Sequence, residues 1–429
     1  MPIDVAAVKH QLAILRGTID DLERTVTTNV IRLHPGQSVQ AALDLAEAGS
    51  VIELEPGAYE GSLTFRRPVT LRPTVEVPPG RRTREFEPVT LLSTGEAARI
   101  FGPDVHHLGL AYRSTNQATT LIVIAPGTPR TILDRPLVLG DAELGQKRGI
   151  AAEGIRTRIL GAYVDDIWRV GQDSQAIFGA NGTRDLVIDD CYLAAAGESV
   201  MFGGADSASP DLMPADIVLT NSVLTKNPAW YDPKKKAQIK CAFELKAARH
   251  VVVQHVELAY AGKSEGQGGY LCLLTCRNQN GKAPWSVVED VLMEDIVGHH
   301  AGGILNVLGQ DNNHPSGTLT GAVLRRWTCH DIDPLLPACP GDGRLIQIQR
   351  WPAQLTLEEW EVGGAHLNIG LHVLGIGLPP PTGLTLRRVH LPACSYSVKV
   401  DKGGAGSKAL RAYAPDAVLE DVTTGGQPV

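Results

Sequence analysis

Val187-Ile188-Asp189-Asp190, Val218-Leu219-Thr220-Asn221, Val252-Val253-Gln254-His255, Leu292-Met293-Glu294-Asp295, Val323-Leu324-Arg325-Arg326, Leu355-Thr356-Leu357-Glu358-Glu359, Leu384-Thr385-Leu386-Arg387-Arg388 and Val418-Leu419-Glu420-Asp421 share one form: aliphatic residues followed by two polar or charged ones. With Ile188, Leu219, Val253, Met293, Leu324, Leu357, Leu386 and Leu419 as markers, the steps are 31, 34, 40, 31, 33, 29 and 33 residues, a mean of 33. A repeat of that length built from helix pairs would show a 3.6-residue period. These segments instead alternate with period two and are punctuated by Gly and Pro. The reading is all-β: a parallel β-helix, in which equivalent strands of successive turns stack and their aliphatic side chains pile up inside. From Val30 to Val429 there is room for about twelve turns, a rod roughly 55 to 60 Å long.

Upstream of the repeats, the first turn of such a rod leaves an open sheet edge. Ser38-Val39-Gln40-Ala41-Ala42-Leu43-Asp44-Leu45-Ala46 reads as a short amphipathic helix with Ser38 as its N-cap, placed to plug that edge. The expected organisation is therefore residues 1–29 as a helical attachment segment, 30–50 as leading strand and capping helix, and 51–429 as the β-helix. His34-Pro35-Gly36-Gln37-Ser38-Val39-Gln40-Ala41-Ala42, then Gly49-Ser50-Val51-Ile52-Glu53-Leu54 and Pro56-Gly57-Ala58-Tyr59, resembles the start of right-handed parallel β-helix proteins of the pectate-lyase-like superfamily. The resemblance implies the fold and leaves the reaction open, because that superfamily holds lyases, hydrolases, isomerases and inert fibres. Residues 150–320, with Gly171-Gln172-Asp173-Ser174-Gln175-Ala176-Ile177, Ala196-Gly197-Glu198, Phe243-Glu244-Leu245-Lys246 and Leu308-Gly309-Gln310-Asp311, are similar to a group of bacterial right-handed β-helix proteins, with the same implication.

Val5, Val8, Leu12, Leu15, Ile19, Leu22 and Val26 recur at spacings of 3 and 4, a coiled-coil seam over three heptads. Its alternative is a single amphipathic helix lying on the rod. Met1-Pro2-Ile3-Asp4 lacks the basic and apolar regions of a secretory leader, and no run of 18 apolar residues is present. A net charge of −7 argues against nucleic acid. Seven cysteines without zinc spacing, and His299-His300 with His314 without triad spacing, point to no metal and no cofactor.

Period two sets Cys241, Phe243 and Leu245 inward and Glu244 with Lys246 outward. Extended turn by turn, the outer face carries Arg277, Asn306, Gln347, Gln349, His372 and Lys399, a polar strip suited to a hydroxylated polymer, with Trp230 and Trp285 as sugar-stacking candidates. Hydrolysis would need two carboxylates about 5 to 9.5 Å apart, drawn from Asp173, Glu198, Asp206, Glu244 and Asp311. Lyase chemistry would use Lys246 or Arg277 as the base next to a uronate carboxylate. Two functions follow. One is a trimeric virion protein of the phage tailspike or fibre kind, made in the host cytoplasm, joined through residues 5–26 to itself and to other virion proteins, recognising a bacterial surface polysaccharide, with degradation an open option. The other is a monomeric bacterial polysaccharide lyase or glycoside hydrolase, cytoplasmic or exported by a non-standard route.

Overall fold

Eight markers spaced along the sequence become eight neighbours in space. In the computed structural model, which describes residues 29–116, 119–263, 268–374, 379–402 and 404–429, Ile188, Leu219, Val253, Met293, Leu324, Leu357, Leu386 and Leu419 are successive register partners in parallel strands. The same column runs upward through Ile159, Leu133, His107, Leu71, Ile52 and Ile31. That makes fourteen turns, where the repeat length alone gave about twelve. Most of these side chains are fully buried in one continuous core, where each Leu, Ile or Val contributes about 1.5 to 3 kcal/mol. Trp327 and Trp360 stack in the same interior, with ring centroids 4.7 Å apart. His107 breaks the aliphatic run. Burial pushes its imidazole down to about 3, and its Nδ1 lies 2.6 Å from the Tyr112 hydroxyl.

Each turn bends at a single residue instead of a loop. The second polar residue of the repeat unit holds a left-handed backbone conformation: Asp190, Asn221, His255, Asp295, Arg326, Glu359, Arg388 and Asp421 have φ between 50° and 58°. Asp and Asn tolerate that region best, and a column of parallel corners shares its small strain among many ladder hydrogen bonds. Because the corner is one residue wide, Ala248–Ala261, Val288–Ala301 and Thr320–Ile332 run as continuous strands across two faces of the rod. Just before the corner stands an outward column in which charge alternates turn by turn: Glu294, Arg325, Glu358, Arg387, Glu420.

The third face is a separate sheet of 13 strands among the described residues. Here the interior takes two consecutive residues from each turn: Leu121-Ile122, Ala176-Ile177, Ala242-Phe243, Leu271-Cys272, Ile304-Leu305 and Leu345-Ile346 all lie in the core. Strict alternation therefore fails on this face, and side chains three apart point out together. Cys241, expected inward, sits outside the core with Tyr270 and Leu273, buried beneath flanking loops.

Val39–Leu45 is a helix whose Ser38 cap accepts the Ala41 N–H, and it covers the first turn with Val39, Ala42 and Leu43. At the other end the edge strands close with short antiparallel partners, Gly404–Ala405 and Gln427–Pro428, and the helix Ser407–Tyr413 packs against Cys394–Val400. The seam Val5 to Val26 lies outside the described residues. No described helix is long and apolar enough to cross a membrane.

Candidate functional site

Down the outside of the 13-stranded sheet runs one register column: Arg99, Val123, Ala151, Phe178, Met201, Glu244, Leu273, Asn306, Gln347, His372, Lys399. From Val123 to Met201 the column is apolar, below the exposed Arg99 at its top, and from Glu244 down it is mostly polar, with Leu273 an apolar member. The polar strip read from parity thus exists only from Glu244 downward. Over that half lies a groove of about 610 Å³ lined by Glu244, Lys246, Tyr270, Thr275, Arg277, Asn306, Asp311, Asp342, Arg344, Gln347 and Gln349, among others.

Glu244 forms part of its floor, and the fully buried Glu198 lies on the neighbouring strand. Glu198 and Glu244 are both buried, on neighbouring strands paired through Val200–Phe243 and Met201–Glu244, and each shifts the other's titration. Around them, Gln175 Nε2 donates to Glu198 Oε2 at 2.8 Å, Lys240 Nζ lies 3.3 Å from Glu198 Oε1, Thr275 donates to Glu244 Oε1 at 3.0 Å, and Lys246 Nζ lies 3.7 Å from Glu244 Oε2. Burial and the adjacent Glu198 charge raise Glu244 to about 7 despite Lys246. Burial acts on Glu198 in the same sense, but Lys240, Lys246 and Gln175 outweigh it and hold Glu198 below its ordinary value. Beside Glu198, Glu244 therefore holds its proton below about 7 and releases it above. Lys246 keeps its own proton, raised by Glu244 and Glu198 against burial. It is therefore a cation and a donor at neutral pH, not the free amine that a lysine base requires.

One wall of the groove comes from the loops after Ala261 and Ile332. Lys263 Nζ meets Asp342 at 2.7 Å, Asp342 N–H donates to the Gly268 carbonyl, and Gly302 faces Gly341 so closely that a Cβ on either would strike the other's backbone. The opposite wall comes from the loops after Phe202, Cys276 and Leu308. Asp311 accepts N–H bonds from Asn278, Asn313 and His314, and lies 3.5 Å from Arg277. Asp206 accepts the N–H groups of Asn280 and Lys282. Both aspartates brace backbone, with Asp311 at the groove and Asp206 behind it. Asp173 pairs with Lys240, the ammonium that also faces Glu198, and does not line the groove.

The Arg277 backbone N–H donates to the Lys246 carbonyl at 2.8 Å, so the two cations sit one turn apart. Gln347 and Gln349 both donate to Asn306 Oδ1, at 3.3 and 2.9 Å. The tryptophans do not join them. The turn Pro228–Tyr231 tucks Trp230 against Trp168 and Ile239, leaving it 3% exposed and without a free face for a sugar. Trp285 is half-buried and outside the groove. Among the groove residues missed are Tyr270, Arg344, Lys263 and Asp342. Tyr270 and Arg344 each precede an inward pair by one residue, and the apolar doublets Leu271-Cys272 and Leu345-Ile346 were the available signal. The Tyr270 hydroxyl is buried beside Arg344. Among the described residues, no group of three metal-ligating side chains is assembled.

No protein-family model matches the sequence, and no curated protein matches it. Among solved structures, the rod is similar to the catalytic domain of a GH87 α-1,3-glucanase, with TM-score 0.50 and 10% identity over 92% of this chain and 64% of that one. It is also similar to an alginate lyase from Paenibacillus sp. str. FPU-7, with TM-score 0.47 and 14% identity over 79% of this chain and 99% of that one. A third is the tailspike protein gp49 of Acinetobacter baumannii bacteriophage Fri1, a capsular polysaccharide depolymerase, with TM-score 0.35 and 10% identity over 94% and 64%. The fold is the right-handed parallel β-helix. At such identities the likeness establishes the fold alone.

Proposed function

We propose that the groove binds an acidic polysaccharide and cleaves it by β-elimination next to a uronate carboxylate. The observation that carries this is the buried Glu198–Glu244 pair under a groove whose cations, Lys246, Lys263, Arg277 and Arg344, outnumber its ionised carboxylates. No tryptophan lines the groove, so charge and amide hydrogen bonds do the recognising. A carboxyl group with its proton affinity near neutral suits general acid–base work. In the proposed step the ionised form of Glu244, about half-populated near 7, takes the proton from the carbon bearing the uronate carboxylate, and Arg277 with Arg344 neutralises that carboxylate. The carbon–oxygen bond to the next sugar breaks as the double bond forms, and the departing oxygen takes a proton from Lys246 or Tyr270. Inverting or retaining hydrolysis has less support, because Glu198 is fully buried and does not line the groove, and Asp311 is bound to backbone.

The test is incubation with uronate-containing bacterial polysaccharides, read by ultraviolet absorbance of unsaturated products. Wild type should produce them, and Glu244→Gln and Arg277→Ala should each lower the rate at least about a hundredfold. Salt-sensitive binding with no cleavage would leave a receptor-binding fibre, and reducing ends without absorbance would turn the reading to hydrolysis.

The heptad residues Val5 to Val26 support a finer proposal: three copies join through residues 5–26 into a virion spike that meets the glycan at the bacterial surface. Light scattering on wild type and on Leu15→Asp with Leu22→Asp tests it, with a threefold fall in mass expected. A wild-type monomer at micromolar concentration would favour the single-chain bacterial enzyme.

A further inference from the structure

The sheet beneath the groove runs on past both of its ends, but the two ends differ. The floor spans the levels of Glu244, Leu273, Asn306 and Gln347, about 14 Å along the axis. Above Glu244 the column continues as Met201 and Phe178. Both are buried, and what buries them is the chain itself. A Cβ on Gly204 would stand 3.2 Å from Met201 Cε and 3.2 Å from Lys246 Cδ, so the loop after Phe202 lies directly on the two side chains. Asp206 fixes that loop from behind by accepting the Asn280 and Lys282 N–H groups. One level higher the Arg148 guanidinium stands over the Phe178 ring, and its Nε donates to Gln175 Oε1 at 3.0 Å. The other outward positions of these two turns, Gln175 and Glu198, are buried as well.

Below Gln347 the column continues as His372 and Lys399. His372 is 8% exposed, no more covered than Gln347 at 7%, which lines the groove. On the next strand, Cys394–Val400, the outer side meets solvent: Ser395 and Tyr396 are exposed, and Ser397 and Lys399 half-exposed. A linear glycan laid along the axis between the two loop walls therefore has one way in. Glu244 and Lys246 stand at the far, covered end, and at about 4.8 Å per level each level takes roughly one sugar. The middle of a long polymer would reach Glu244 only by passing through the loop after Phe202. A chain end reaches it directly.

We propose that the groove is a blind slot for the terminus of an acidic glycan, closed by the Gly204 loop over Met201 and Lys246, so that cleavage at Glu244 is exolytic. The proposal rests on the reading of the groove as an acidic-polysaccharide site, and it narrows the substrate from any stretch of the polymer to its end. The bond that breaks is the one next to the last sugar or two, and each turnover releases a product of that size.

The experiment counts protein copies per glycan chain. Glu244→Gln, which cannot take the proton, is mixed with polymannuronate and with polygalacturonate, each as hexasaccharide and as long polymer, and the complexes are sized by sedimentation velocity. A blind slot puts one copy on a chain whatever its length, with affinity per chain equal for hexasaccharide and polymer within about twofold. Many copies along a long chain, with affinity per chain rising with length, overturns the proposal. Product sizes from wild type give a second reading, which decides alone should Glu244→Gln fail to fold. Unsaturated mono- or disaccharides should appear from the first minutes while the viscosity of the polymer hardly falls, and a rapid fall with mid-sized oligomers overturns the slot. One copy per chain without any ultraviolet absorbance in wild type removes the elimination step and keeps the slot. Binding of neither polymer removes the acidic-glycan reading and the slot with it.

Discussion

The upper and lower halves of the outward column on the third face have the same register, backbone and spacing, yet opposite contents. Above, Phe178 and Met201 are nearly fully buried, with the Arg148 guanidinium 3.9 Å over the Phe178 ring. Below, Glu244, Asn306 and Gln347 line an open groove flanked by loop walls. The inward columns hardly differ between the halves. A solenoid thus separates its tasks by direction: the inside of each turn is dictated by its neighbours, and the outside is free to be apolar cover in one stretch and a binding floor in the next.

The largest expected effect tests that the inside is common to both. Phe243→Ala opens a cavity in the continuous core, and the melt should show a loss of about 3 to 5 kcal/mol. A loss near that of a surface residue would mean that the register is wrong. Next comes a substitution that erases the contrast. Met201 stands directly opposite Glu244, so Met201→Glu places a third carboxylate beside the pair, and stability at pH 8 should drop by about 2 to 3 kcal/mol, with recovery on acidification. Indifference at pH 8 would show that the upper half is not packed cover.

A smaller and pH-dependent effect concerns the pair. The folded-state value of Glu244 lies above its unfolded one, so the folded chain holds more protons between about 4.5 and 7. Stability linked to this group is then fully present at the acid end and falls as pH rises toward 7. Glu244→Gln removes that slope, and its melting temperature should exceed the wild type's at pH 8 but not at pH 4. Identical pH profiles would show that Glu244 is not raised by its surroundings. At the bottom of the scale is Lys399, on the same column and stacked 5.1 Å over exposed Tyr396. Lys399→Ala should change stability by about 0.5 kcal/mol or less, and a larger loss in the same melt would extend the working floor beyond the groove.

Much of this was legible in the repeat unit. Eight markers were eight true neighbours because parallel stacking demands an aliphatic residue at each level and a residue tolerant of positive φ two places on. The early turns escaped notice because their lengths vary: Ile31 to Ile52 is 21 residues and Ile52 to Leu71 only 19, and the level of His107 lacks the aliphatic signature. At the site, Glu244 and Lys246 were readable as outward. Cys241 and Tyr270 were not, because a doublet of inward residues shifts parity by one, and the period-two rule has no term for a doublet. Lys263 and Asp342 reach the groove from loops, whose folding no periodicity describes. Trp230 looked like a sugar platform because sequence shows a ring and not what lies on it.

The column Glu294, Arg325, Glu358, Arg387, Glu420 bears on a hazard that stacked repeats carry. Aliphatic interiors are nearly interchangeable, so a chain that wound itself one level out of step would still bury its leucines. With signs alternating from level to level, such a slip sets Glu beside Glu or Arg beside Arg at the level where it occurs, and like charges placed directly opposite are destabilising. Only a slip of two levels escapes that penalty, and it would have to pull some sixty residues past their places. The alternating edge works as a vernier scale: weak at any single mark, but admitting one alignment when all the marks are read together.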